Sequence, residues 1–132
     1  MVPIALQADP TFEAQTINDK VAIGYGIAIG DVDGDGKPDI LLADKKKFVW
    51  YRNPEWTEHL ILENLTFKDN VCIAAEDIDG DGKVEIAVGA QWNPGNTTDR
   101  KQSGSVHYLL RPEDLSKPWK AMALPHDPTT HR

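Results

Sequence analysis

Internal repetition limits the folds open to this chain more than any other feature. Residues 26–40, GIAIGDVDGDGKPDI, align without a gap on residues 72–86, CIAAEDIDGDGKVEI. A fixed period signals like units that stack and bury a shared core, because one unit cannot cover its own apolar face. Each copy runs on into a short apolar segment, Ile40-Leu41-Leu42-Ala43 or Ile86-Ala87-Val88-Gly89. Such runs, bounded by turn formers, are too short for a helix and predict strands.

A third element follows in each copy, at 48–54 and 105–112, rich in the aromatic and β-branched residues that suit a pleated surface. The first copy reaches it through Asp44-Lys45-Lys46-Lys47, a short hairpin connection. The second copy has a long insert, residues 91–104, whose turn formers predict a surface loop of the kind that carries function. A fourth element, opening on an aromatic residue and closing on an aliphatic one, occurs at 12–17, 56–61 and 119–124.

Four short strands at a spacing of about 45 residues predict an all-β chain of antiparallel four-stranded β-propeller blades. Residues 12–61 form a first repeat with a metal loop at 31–39. Residues 62–124 form a second with a metal loop at 77–85, and residues 125–132 begin a third. A closed propeller needs about four to eight blades, so residues 1–132 amount to a partial one of about two. The remaining blades are expected from a longer chain or from self-assembly. A third Asp-rich loop, due shortly after residue 132, favours the longer chain.

Asp31, Asp33, Asp35 and Asp39 crowd four carboxylates into nine residues, and Asp77, Asp79, Asp81 and Glu85 repeat the pattern. Two carboxylates about 4 Å apart repel by roughly 4 kcal/mol at an effective dielectric of 20, so a folded loop of this kind calls for a counter-ion. Calcium suits alternating Asp oxygens on a tight turn, with Lys37 and Lys83 placed to offer main-chain carbonyls. Magnesium, which demands a near-ideal octahedron, fits less well. The bland alternative is a pair of Asx-type turns. An EF-hand fails, since the twelfth loop position is Leu42 or Val88 rather than Glu.

These two nine-residue loops resemble the FG-GAP or VCBS repeats of integrin-α-like propellers, over most of residues 12–124. The resemblance implies calcium held by Asp31, Asp33, Asp35, Asp39, Asp77, Asp79, Asp81 and Glu85, with Glu85 departing from the commoner Asp. It also implies that the metal is mainly a structural staple, so the fold decides little about function.

Fourteen basic residues against 21 acidic ones, a formal charge of −7, disfavour nucleic acid and anionic membranes as partners and favour divalent cations. No apolar run approaches the ~20 residues of a membrane helix. No signal peptide is legible at the start, although calcium-rich surroundings, extracellular or periplasmic, suit such loops. Cys72, the single cysteine, lies in an apolar run and is expected in the core, while His59 and His107 fall on strand patterns. The leading expectation is a non-catalytic scaffold that binds a glycan or protein through Trp92 and Asn93, against packing of Trp92 on its own blade. The enzymatic alternative rests on Trp92-Asn93-Pro94 and on residues 125–132. These are weakly similar to the propeller part of aldos-2-ulose dehydratase-type sugar lyases, in which His126 and His131 would be metal or acid–base residues.

Overall fold

The computed structural model describes residues 9–128, so the expected role of His131 and the last residues of the third repeat lie outside the described residues. Among the described residues every regular element is a strand. Blade 1 comprises β1 (Gly26–Gly30), β2 (Asp39–Ala43), β3 (Lys47–Arg52) and β4 (Thr57–Glu63). Blade 2 comprises β5 (Cys72–Glu76), β6 (Glu85–Ala90), β7 (Ser105–Leu110) and β8 (Lys120–Leu124). Each blade is a four-stranded antiparallel meander in chain order. The chain is thus two blades of a β-propeller.

Strand alternation sends one side chain in two to each face, and both faces of these sheets are apolar. In blade 1, Leu41, Ala43, Phe48, Trp50 and Ile61 face blade 2 and are buried in a core shared with Ile73, Ile86, Val88 and Leu109. The opposite face carries Ile40, Leu42, Val49 and Tyr51, against which Ile17 packs.

The blades meet most closely where β1 lies along β5, and glycine makes that approach possible. Gly26 and Gly30 point their missing side chains at β5 and its loop. A Cβ on Gly26 would fall 3.3 Å from the Cys72 Cα, and one on Gly30 would collide with Cγ1 of Val84. Replacing Gly30 with Ala is therefore expected to cost about 1–3 kcal/mol by overpacking, read as a lowered urea midpoint at unchanged slope.

Three expectations need correction. Residues 12–17 form no strand, and the side chain of Phe12 is 93% exposed. A strand needs a neighbour to complete its hydrogen bonds, and among the described residues no strand pairs with this segment. Trp56 does not open β4 either. It sits in the preceding turn with φ 56°, and the strand starts at Thr57. Cys72 is only half-buried, because it faces away from the shared core and lies against Gly89.

Candidate metal centre

Each Asp-rich loop joins the first two strands of its blade, and the two copies share the same pattern of carboxylate-to-backbone hydrogen bonds. The Asp31 carboxylate accepts from the N–H groups of Gly34 and Gly36, both at 2.7 Å. Asp77 accepts from Gly80 and Gly82 at 2.8 and 2.9 Å. Asp39 and Glu85, at the ninth position, reach back to the N–H groups of Val32 and Ile78, each at 2.9 Å. The turn runs through left-handed backbone at Gly34 and Gly36 (φ 81° and 83°) and at Gly80 and Gly82 (φ 80° and 85°). Only glycine adopts that conformation without a Cβ penalty, which explains why the DGDG pattern recurs intact.

The wrapping draws three carboxylates together in each loop. Oxygens of Asp31, Asp33 and Asp39 lie within 4.8 Å of one another, as do those of Asp77, Asp79 and Glu85. Oxygens bound to one calcium ion sit at most about 5 Å apart, twice a metal–oxygen distance near 2.4 Å, so the donor set fits that ion. Each carboxylate oxygen has two lone pairs, and one backbone N–H leaves the other free for a metal.

Asp35 and Asp81 stand outside these trios. Their carboxylates accept from the N–H groups of Lys37 and Lys83 in the local Asx turns that sequence alone allows. The Lys37 ammonium lies 3.5 Å from Asp35, and the Lys83 stem crosses Gly34 of the other loop.

The ninth carboxylates differ in surroundings. Asp39 is fully buried and also accepts from the Asn53 N–H at 2.9 Å. Burial pushes its carboxyl above the usual carboxylate range. The N–H groups of Asn53 and Val32 pull the other way, and the charges of Asp33 and Asp31 add to the upward push. Glu85 is only half-buried. The loops also touch: the Val84 N–H donates to the Asp31 carbonyl at 2.9 Å, and the Arg111 guanidinium donates to the carbonyls of both Val32 and Val84. Arg111 in turn lies 4.8 Å over the Trp119 ring. Nothing in the spacing of the loops announced that clamp, since Arg111 lies at the end of the third element of the second repeat, where the first has Asn53.

The family model described as FG-GAP-like repeat matches residues 31–88, and the one described as FG-GAP repeat matches residues 73–109. The chain carries FG-GAP repeats over residues 31–109. Integrin alpha-PS2 of Drosophila melanogaster is 28% identical over 118 residues, covering 80% of this chain and 8% of that protein. The FG-GAP chain thus spans a small fraction of its relative's length.

The remaining candidate residues of this FG-GAP chain lie away from the loops. Trp92 is 42% exposed and tilts against Tyr25 with ring centroids 5.9 Å apart. It lines a shallow cleft with Phe67, Lys68, Asp69, Asn93 and Pro94. The Asn93 amide donates to the Gln102 carbonyl at 2.7 Å, which pins the insert against itself. His126 bonds the Asp127 carbonyl at 2.9 Å and lies near half-buried His107, whose ring is held below the ordinary histidine value by burial and then by His126.

Proposed function

We propose that the chain is a calcium-stapled part of a propeller scaffold, in which each FG-GAP loop holds one ion and the insert face receives a glycan or protein partner outside the cytosol. The observation that carries this reading is the convergence of three carboxylates in both loops on identical backbone hydrogen bonds. Calcium bound there would supply positive charge to oxygens that otherwise repel one another. The seating is done by the chain itself: Asp31 and Asp77 fix the turn, while Asp39 and Glu85 tie the loop to the second strand.

The faces support a larger assembly. Blade 1 packs through its Gly26/Ala28 face onto the Ile73/Ala75 face of blade 2. On blade 2 the residues aligned with Gly26 and Ala28 are Cys72 and Ala74, and they point away from blade 1. On blade 1 the residues aligned with Ile73 and Ala75 are Ile27 and Ile29, which are 68% and 65% exposed. Each outer face therefore matches the partner of the other, a head-to-tail relation that repeats until a ring closes. Further blades of a longer chain, or copies of this one, would fill those faces.

On the insert side, exposed Phe67 and Trp92 beside Asp69 and Asn93 offer aromatic faces with polar edges, which suit a sugar or a polar peptide. Isothermal titration with calcium chloride should show two sites, one lost on Asp31→Asn and the other on Asp77→Asn. Glycan-array or protein binding that disappears in Trp92→Ala while both calcium sites survive would support the partner face. Absence of calcium uptake would end the scaffold reading.

A further inference from the structure

We infer that Arg52 is a resident counter-cation that weakens the hold of the first loop on calcium; the inference rests on the calcium reading above. β3 ends on Arg52 beside that loop. Its Nε lies 2.6 Å from Asp33 Oδ2, and a terminal guanidinium nitrogen lies 3.7 Å from Asp35 Oδ2. Asp33 is one of the three converging carboxylates. A charge-assisted contact of this length occupies a lone pair that an ion would use and sets a fixed positive charge beside the site. A divalent ion must displace the guanidinium from Asp33 or bind against its repulsion. Either route spends part of the loop's attraction on Arg52.

The second loop lacks such a group. Ile40 pairs with Tyr51 and Ile86 pairs with Leu109, so the next residues of the two strands, Arg52 and Leu110, occupy equivalent places. Among the described residues no ion pair reaches Asp77, Asp79, Asp81 or Glu85. The two loops share their backbone hydrogen bonds, but they also differ in the ninth carboxylate and its burial, so the arginine is tested by exchange within each loop. Arg52 is exposed and Leu110 is 40% exposed, so exchanging them disturbs little packing.

The test is calcium titration calorimetry on the full chain, with the other loop silenced by Asp77→Asn or Asp31→Asn as required. R52L and R52Q are expected to tighten the first loop roughly twofold to fivefold at low salt, the range an exposed ion pair converts to. The gain should shrink at high ionic strength, where the guanidinium is screened. The reciprocal L110R should weaken the second loop by a similar factor. Unchanged or weaker binding in both R52L and R52Q, with wild-type uptake intact, overturns the role of Arg52 and leaves the calcium reading standing. Uptake by no form of the protein overturns both.

Discussion

Chelating calcium is expected to lower the unfolding free energy by several kcal/mol, and restoring calcium should recover it. Each ion that binds only the folded chain contributes about 2.7 kcal/mol when present at a hundredfold its dissociation constant. Two loops would then supply about 5 kcal/mol, comparable to the whole stability of many domains. The need for the ion is clearest at Asp39. Its carboxyl is pushed up mainly by burial, so the folded state holds that proton more tightly than the unfolded chain does. Stability from this group is therefore present below the unfolded carboxylate value, about 3.9, and is lost as pH rises through the folded one. Above that range Asp39 burdens the metal-free fold, and calcium would offset the burden. The calcium-dependent gain should accordingly shrink on acidification, because protons compete for the same oxygens. Asp39→Asn should remove about half of the gain and leave the share of the second loop. Melting curves in chelator and in millimolar calcium measure both effects, and identical curves would rule the staple out.

The repeat made the blades legible because it acts at two levels. Short apolar runs such as Phe48-Val49-Trp50-Tyr51, bounded by turn formers, mark strands buried on both faces, and the ungapped match between residues 26–40 and 72–86 marks two like units. The loop glycines were legible for the same reason, since left-handed turns leave few other choices. Relations between segments distant in sequence left no such mark. Arg111 clamps the carbonyls of Val32 and Val84 from 79 and 27 residues away, and no local pattern encodes that reach. The outer strand expected at 12–17 failed on similar grounds. Its aromatic-to-aliphatic pattern matches 56–61 and 119–124, yet a strand exists only where a neighbour takes up its hydrogen bonds. The acidic spacing likewise could not separate Asp33, which joins the converging trio, from Asp35, which turns to Lys37.

Asp44 is the clearest residue that sequence reasoning passed over, because it looks like one polar member of a short hairpin. Its carboxylate is 3% exposed and accepts from three consecutive N–H groups, those of Ala22, Ile23 and Gly24, at 3.0, 2.8 and 3.1 Å. Its carbonyl accepts from the buried Asn70 amide at 2.8 Å, so one residue ties the strand-free approach to β1 and the segment before β5 to the β2–β3 hairpin. Burial alone would raise its carboxyl. The N–H groups of Ala22, Ile23, Lys45 and Gly24 outweigh burial and leave it below the ordinary value. The sign is opposite to that of Asp39: stability from Asp44 is present above the unfolded carboxylate value and is lost as pH falls through the folded one. Asp44→Ala should therefore cost about 3 kcal/mol, since it strands several part-buried donors at once. Asp44→Asn keeps one acceptor oxygen and should cost less, while removing part of the acid-driven loss of stability. Denaturation of wild type and both variants between acid and neutral pH, in chelator throughout, separates this anchor from the metal loops. Equal stability of wild type and Asp44→Ala at neutral pH would show that water replaces the carboxylate, and that the approach to β1 is held by contacts other than this one.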